Sequence, residues 1–249
     1  MPRQARQLSN SGVYHIILRG INQQVVFEDE EDNTRFLETL RAYKEKSDYR
    51  IFAYCLMGNH FHMLIKTGKE DLGVAMKRIA GSYVYWYNWK YNRSGHLFQD
   101  RYKSEPVETD EYLLTVLRYI HQNPIKAGLC NKLEKYKYSS YSAYIDNRSG
   151  IVDTSFVLSI MSKKEFKIFH ESESTHQVLE IDKGTNRLKD SEAVAIIVEV
   201  AKCTHTSEVQ LFEPEQRSKI IKVLRAQGLS IRQISRLTGV SKGIVEKNK

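Results

Sequence analysis

Cysteine is scarce in this chain of 249 residues, long apolar runs are missing, and acidic residues almost disappear from one end. Cys55, Cys130 and Cys203 are too few and too scattered for a disulfide framework or a cysteine-ligated zinc site, and they indicate a reducing, cytoplasmic setting. No run of eighteen apolar residues is present, which predicts that the chain does not span a membrane. The basic N-terminus has no apolar stretch behind it, so no secretion signal is expected.

The shortage of acids is confined to the C-terminal segment. From residue 217 onwards there are nine lysines and arginines and a single acid, Glu246, so this segment accounts for the whole formal charge of +8. Such a block predicts binding to a polyanion through counterion release. A solvated basic tail is the alternative, and the helical spacing of apolar residues in the same segment disfavours it.

Apolar periodicity predicts an alternation of strands and helices over the first half of the chain. The predicted strands cover 13–19, 50–57, 60–66 and 96–107, and the predicted helices cover 32–46, 71–88 and 110–123. Pro124 disfavours helix in the residue before it, so the third helix is expected to end at Asn123. This order predicts an α+β fold, a ferredoxin-like split βαβ antiparallel sheet with covering helices.

The basic C-terminal segment has the pattern of a helix-turn-helix. Helical stretches are predicted at 216–226, at 231–238 and from 242 onwards, after an apolar helix at 191–203. Ser230 can cap the middle helix, and a glycine-containing turn separates it from the last one. A small all-α domain of this kind binds DNA, and its expected contacts are Arg232, Arg236 and Lys242.

Two histidines stand two residues apart on the third predicted strand, directly after the turn dipeptide Gly58-Asn59. Side chains at this spacing point to the same side of a strand, so His60 and His62 can bind one divalent metal and leave positions open for substrate oxygens. A lone strand histidine is more often a core residue, but a pair after a turn is harder to explain in that way.

The third predicted helix carries a polar stripe beside its apolar face. Tyr119 and Asn123, four residues apart, lie on one side of the helix with Tyr112. His121 lies roughly 160° around the helix from Tyr119. Asn123 is therefore the better third ligand, and its carbonyl oxygen suits Mg²⁺ or Mn²⁺. Tyr119 is the candidate nucleophile, with a half-buried structural aromatic as the alternative.

Basic and aromatic residues interleave on the fourth predicted strand. Gln99, Arg101 and Lys103 alternate with Phe98 and Tyr102, a pattern that suits single-stranded DNA through phosphate pairing and base stacking. An ordinary exposed strand gives the same pattern. Two arginines near the predicted site, Arg19 and Arg118, complete the predicted DNA contacts.

Four ordered motifs carry a resemblance to a known family. They are YHIILRG at 14–20, MGNHFH at 57–62, GHLFQDRYKS at 95–104 and LRYIHQNP at 117–124. Together they resemble the HUH single-tyrosine transposases, and more closely the REP-associated tyrosine transposases, which are related to the two-hundred class of bacterial insertion sequences. The resemblance covers about residues 1–150.

The resemblance implies that a divalent metal and a tyrosine nucleophile cut and rejoin single-stranded DNA at hairpin-flanked sites. His60 and His62 match the metal ligands, Tyr119 matches the nucleophile, and Asn123 stands where other branches carry glutamine. The implied intermediate is a 5′-phosphotyrosine with a free 3′ hydroxyl. The expected partners are single-stranded and hairpin DNA, and the protein is expected to act as a monomer or homodimer.

The predicted organisation has three parts, which are a catalytic domain at 1–150, an extension and linker at 151–189, and a helix-turn-helix domain at 190–249. Two alternatives to an active transposase remain open. One is a DNA-binding regulator of repeat sequences with a catalytically inactive or domesticated transposase domain. The other is a rolling-circle replication initiator or relaxase, which the short chain disfavours because it shows no helicase part.

Overall fold

The structure is a computed structural model that describes residues 6–21, 24–146, 150–172, 178–179 and 190–248. The chain divides into two compact units, Met1–Glu180 and Ile181–Lys249. None of the helices in the described part of the chain combines the length and apolar character needed to cross a membrane.

A four-stranded antiparallel sheet organises the first unit. Its strands are β1 (Val13–Arg19), β2 (Arg50–Met57), β3 (His60–Lys66) and β4 (Lys103–Pro106), in the spatial order β2-β3-β1-β4. The first three strands have the predicted bounds, and a two-residue turn joins β2 to β3. The order is that of a ferredoxin-like sheet, so the predicted α+β fold is confirmed.

The fourth strand is much shorter than the predicted 96–107. Ile17 of β1 pairs with Lys103, while the next pairing along β1 is an isolated bridge between Gly20 and Phe98. Two residues of β1 therefore lie opposite four residues of the other segment, 99–102. The surplus residues bulge out of the ladder, which explains why strand pairing is lost there although the sequence alternates.

Helices cover both faces of the sheet. On one face α1 (Glu30–Ser47) and α2 (Leu72–Lys90) enclose a core with the alternate residues of the strands. On the other face α3 (Asp110–Lys126) packs against the remaining strand residues through Val116, Leu117 and Ile120. The site residues described below lie on this second face, beneath α3.

Pro124 lies inside α3, so the predicted end of this helix at Asn123 is wrong. Proline removes one helical hydrogen bond, but only the last turn follows it here. That turn is closed by bonds from the Ala127 amide to the Asn123 carbonyl and from the Leu129 amide to the Pro124 carbonyl. The extended preference of a residue before proline is outweighed by these helical bonds.

The segment that follows α3 packs against the rest of the first unit. A 3-10 turn at Leu133–Lys135 precedes α4 (Tyr141–Asp146), α5 (Ser155–Ile160) and α6 (Lys163–Glu171). Buried Val157 and Phe166 join the core beneath α3. His170, inside the predicted extension and linker, is buried in α6, because its ring packs on Phe166. Most of the remaining predicted linker lies outside the described residues.

The second unit is helical. It contains α7 (Asp190–Ala201), a 3-10 segment at Thr206–Leu211, α8 (Pro214–Ala226), α9 (Ile231–Thr238) and α10 (Lys242–Lys247). Apolar residues from each of these elements form one core, which includes Ala193, Ile197, Val209, Ile221, Leu224, Ile234 and Val245. Ser230 caps α9 and accepts a bond from the Gln233 amide, and Gly239 ends α9 with a φ of 76°.

Candidate active site

The candidate site lies on the sheet face that α3 covers. Strand pairing sets Arg19 opposite His60 and Ile17 opposite His62, so these side chains share one face with His15, two residues before Ile17. His60 and His62 point to the same side, as predicted, because alternate residues of β3 face the same way.

His60, the first residue of β3, is half-buried. Its Nδ1 lies 2.7 Å from Oδ1 of Asn59. An amide oxygen only accepts hydrogen bonds, so Nδ1 of His60 is the donor and Nε2 keeps its lone pair in the neutral ring. The neighbouring turn residue therefore fixes which nitrogen of His60 is available to a metal.

His62 lies deeper and is buried. Its Nδ1 lies 3.2 Å from Nε2 of His15, and the two rings are stacked with centroids 5.4 Å apart. The rings of His60 and His62 are 5.1 Å apart. Because Nδ1 of His62 is engaged, Nε2 is the nitrogen that His62 can offer to a ligand.

Tyr119 meets the histidines from α3. Its ring stands edge-on to His62 at a centroid distance of 5.6 Å and to His15 at 5.9 Å. Only 7% of Tyr119 is exposed, and the ammonium of Lys126 lies 5.0 Å from its ring centre. The structure thus brings together the predicted nucleophile and both predicted imidazole ligands, although separate elements of the chain carry them.

The three histidines are held in the neutral form. Burial, and then the charge of Arg19, lowers the pKa of His60 to about 4. Burial also lowers the pKa of His62 and of His15. A neutral imidazole is the form that binds a metal, so the electrostatics of the site suit metal binding near neutral pH.

The third predicted ligand, Asn123, has its described side-chain contact within α3. It is half-buried, and its Nδ2 donates to the Tyr119 carbonyl at 3.0 Å. Within the described ranges no group of three or more His, Cys, Asp or Glu side chains could hold a metal ion. The donor set of two neutral imidazoles nevertheless fits a divalent ion whose other ligands are oxygens, from the Asn123 amide, the substrate or water.

The predicted DNA contacts of the first unit fall into two groups. Gln99, Arg101 and Lys103 are exposed on the bulged segment and the start of β4, and Arg19 is half-buried beside His60. Arg118 differs, because its guanidinium lies 4.1 Å from the ring centre of Phe169 and donates to Oγ of Ser172 at 2.8 Å. Arg118 is buried against α6, and this placement argues against a contact with DNA.

In the second unit, the three predicted DNA contacts lie on two consecutive helices. Arg232 and Arg236 belong to α9, and Lys242 begins α10. Lys242 is exposed and forms an ion pair with Glu246 one turn later, at 3.3 Å. A phosphate at this surface would compete with Glu246 for the Lys242 ammonium, so the role of these cations in DNA binding stays a prediction.

One residue near the site, Glu105, is not among the candidates that the sequence singled out. Glu105 pairs with His15 across β1 and β4, and it interacts electrostatically with Tyr112 of α3. The alternation that groups Gln99, Arg101 and Lys103 also places Glu105 on their side of the strand. This two-residue period is the signal in the sequence that identifies Glu105.

Comparison with known proteins finds similarity in the part of the chain that contains this candidate site. Residues 9–123 match the model of the family described as "Transposase IS200 like". A protein of Haemophilus influenzae named as a REP-associated tyrosine transposase is 27% identical over 115 residues, which cover 40% of this chain and 65% of that relative. A solved structure of a REP-associated tyrosine transposase bound to a REP hairpin is similar in fold, with a TM-score of 0.51 and 14% identity over 61% of this chain and 94% of that one.

Proposed function

Because residues 9–123 belong to the IS200-like transposase family, we propose that this chain is a metal-dependent transposase that cuts and rejoins single-stranded DNA beside hairpins. The observation that carries the proposal is the contact of the Tyr119 phenol ring with His62, 5.6 Å between centroids. A metal phosphohydrolase that uses water has no need of a phenol at that position, whereas a strand transferase does.

The metal site of the proposal consists of His60 and His62, with Asn123 as the oxygen ligand. A bound Mg²⁺ or Mn²⁺ supplies positive charge to the non-bridging oxygens of the scissile phosphate. The turn residue Asn59 holds Nδ1 of His60 and leaves the lone pair of Nε2 for the metal, which spares the site the reorganisation that a freely rotating ring would need.

The chemical step belongs to Tyr119. Its hydroxyl oxygen attacks phosphorus and gives its proton to water, while the bond to the 3′ oxygen breaks and that oxygen takes a proton from water and leaves as a hydroxyl. The product is a 5′-phosphotyrosine and a free 3′ end. Reversal on a second junction reseals the strand, so no external energy source is needed. The Lys126 ammonium beside the ring offers a positive charge to the incoming phosphate.

The test is a search for a protein–DNA covalent band with a labelled repeat-hairpin oligonucleotide and Mn²⁺. We expect the band with the unchanged protein, its loss in Tyr119→Phe, and its loss on chelation with recovery when Mn²⁺ is restored. Tyr85→Phe is the matched control, since Tyr85 is an exposed phenol on α2. Cleavage that persists in Tyr119→Phe would refute the nucleophile assignment.

A DNA-binding regulator without activity is the second candidate. One observation favours it, because only 7% of Tyr119 is exposed. Such a protein binds the hairpin oligonucleotide and forms no covalent band under any metal condition. The same experiment therefore separates the two candidates.

We propose that the second unit is a helix-turn-helix domain that adds affinity for duplex DNA. In the full chain, replacing Arg232, Arg236 and Lys242 by glutamine should weaken duplex binding. The slope of its salt dependence should fall by about one unit for each phosphate that is no longer neutralised. Cleavage of a single-stranded site should persist. The control replaces Lys219 and Lys222 on α8 by glutamine. Losses in proportion to the number of charges removed, three against two, would mean that only net charge matters.

A further inference from the structure

A row of polar side chains runs behind the proposed metal site. Tyr112 interacts electrostatically with Glu105, Oε2 of Glu105 lies 3.8 Å from Nδ1 of His15, and Nε2 of His15 lies 3.2 Å from Nδ1 of His62. The row crosses α3, β4, β1 and β3 in turn. It ends at His62, one of the two proposed imidazole ligands.

The sheet register builds this row. His15 pairs directly with Glu105, and the neighbour of His62 in the ladder is Ile17, two residues after His15. All three side chains therefore lie on the face that α3 covers. His15 is fully buried, and its Nδ1 has no hydrogen-bond partner within the described part of the chain. The Glu105 carboxylate is too far for a bond and close enough for an electrostatic attraction.

Hydrogen-bonding roles along the row follow from its acidic end. Burial raises the pKa of Glu105, but the His15 imidazole, the Tyr112 hydroxyl and the Leu179 amide outweigh burial and lower it, so Glu105 is a carboxylate. A carboxylate favours the proton of His15 on Nδ1, which faces it. Nε2 of His15 is then an acceptor, and Nδ1 of His62 must be the donor.

We propose that Glu105 and His15 are positioning residues that fix the tautomer and orientation of His62, with the proton on Nδ1 and the lone pair of Nε2 directed into the site. In this arrangement His15 supports a ligand and does not itself bind the metal. The proposal rests on the proposed metal role of His62. Outer partners of this kind typically change metal affinity by about 10- to 100-fold when they are removed.

The tautomer of His62 is measurable in the metal-free protein. Long-range ¹H–¹⁵N correlation spectra of the full chain should show a protonated Nδ1 and a bare Nε2 in His62. In His15→Phe the acceptor is lost, and the spectra should report a mixture of the two tautomers. A purely space-filling role of His15 predicts no change, since phenylalanine fills a similar volume. A His62 that carries its proton on Nε2 in the unchanged protein would overturn the proposal.

Metal affinity gives the second readout, with Mn²⁺ as the titrant in calorimetry. His15→Phe should bind Mn²⁺ about 10- to 100-fold more weakly. Because His15 is buried and its replacement can harm folding, Glu105→Gln is the second variant, at a half-buried position that keeps the shape. We expect a loss of about tenfold there. Glu111→Gln is the matched control, since Glu111 is an exposed carboxylate on the first turn of α3.

The outcomes separate this inference from the proposed function. If the unchanged protein binds Mn²⁺ and forms the covalent band, while His15→Phe and Glu105→Gln bind Mn²⁺ as tightly, the positioning role is refuted and the transposase stands. An equal loss in Glu111→Gln would also refute it, by showing a general charge effect. If the unchanged protein does not bind Mn²⁺ at all, the proposed metal function fails and the inference with it.

Discussion

Two pairs of buried histidines lie on different sides of α3. His15 and His62 share a hydrogen-bond contact of 3.2 Å on the sheet side, beside Tyr119. His121 and His170 share one of 2.9 Å on the side that faces α6. All four rings are nearly inaccessible to solvent, and burial lowers the pKa of each. The two pairs therefore have the same burial and the same direction of pKa shift.

The ends of the two rows distinguish them. Behind α3, Nε2 of His121 lies 2.8 Å from Oγ of Ser140, and Nδ1 of His170 donates to the Phe166 carbonyl at 2.8 Å. Every ring nitrogen of this pair is occupied by the protein. On the sheet side, Nε2 of His62 has no hydrogen-bond partner among the residues that the structure describes, and His60 stands beside it. We call the His121–His170 pair closed, because protein groups occupy all its ring nitrogens, and the His15–His62 pair open. A closed pair stabilises the fold, whereas an open pair can bind a ligand.

The closed pair also explains how α3 is held. The His121 ring lies among Tyr141, Tyr144 and Phe166, which belong to α4 and α6. These contacts fasten the later helices onto the helix that carries the predicted nucleophile. The comparison predicts that a buried histidine with a lowered pKa takes a ligand only when it offers a nitrogen lone pair that no protein donor occupies.

The largest effect should come from removing His60, the proposed metal ligand beside the open pair. His60→Ala should reduce Mn²⁺-dependent cleavage at least about 100-fold, because a metal supplies several kcal/mol of transition-state stabilisation. His170→Phe should leave the cleavage rate within about threefold below its melting temperature. Single-turnover rates with the hairpin oligonucleotide measure both. A similar loss in both variants would show that the closed pair also serves the chemistry.

Stability should respond in the opposite order. His170→Phe keeps the ring volume but leaves Nδ1 of His121 buried without an acceptor, so the free energy of unfolding should fall by about 1–3 kcal/mol. His60 is half-buried, and its replacement by alanine should change that free energy by less than about 1 kcal/mol. Urea denaturation at neutral pH without metal measures the two changes. A stable His170→Phe would mean that the closed row contributes nothing to folding.

Acid should weaken the fold through these same histidines. Burial lowers the pKa of His170 to about 4, below the value near 6.5 of an unfolded histidine. Between these two pH values the unfolded chain binds more protons, so stability falls as the pH drops from about 6.5 to about 4, by up to about 1.4 kcal/mol per pH unit for each such histidine. Denaturation midpoints across this range measure the slope, which His170→Phe should reduce. An unchanged slope in that variant would assign the acid sensitivity to other groups.

Much of this comparison was accessible from the sequence. Two-residue alternation placed His60 and His62 on one face, and helical geometry put His121 on the far side of α3 from Tyr119. Sequence did not reveal the partner of His121, because His170 lies in a stretch whose polar residues resemble a linker. Glu105 was missed for a related reason, since the bulge at 99–102 hides the strand register that aligns Glu105 with His15.

Asn123 shows a different limit. Spacing put it on the stripe of Tyr119, and the structure confirms that both belong to one continuous helix. Which way an amide turns depends on local hydrogen bonds, and here Nδ2 bonds a helix carbonyl. Its role as a ligand therefore stays a prediction that neither pattern nor fold decides.

The smallest effects concern Asn59, which bonds His60 beside the open pair, and Ser140, which bonds His121 of the closed pair; they sharpen the comparison most. Asn59→Ala removes the acceptor that holds Nδ1 of His60, so Mn²⁺ affinity should fall about tenfold while stability is nearly unchanged. Ser140→Ala removes the partner of Nε2 of His121 and the acceptor of the Tyr54 amide, so stability should fall by about 1 kcal/mol with Mn²⁺ affinity unchanged. Calorimetric Mn²⁺ titration and urea denaturation measure both quantities in each variant. The open and closed assignments require that Asn59→Ala loses Mn²⁺ affinity and that Ser140→Ala loses stability. If Ser140→Ala weakens Mn²⁺ binding as much as Asn59→Ala does, the two rows are coupled through α3 and cannot be assigned separate roles.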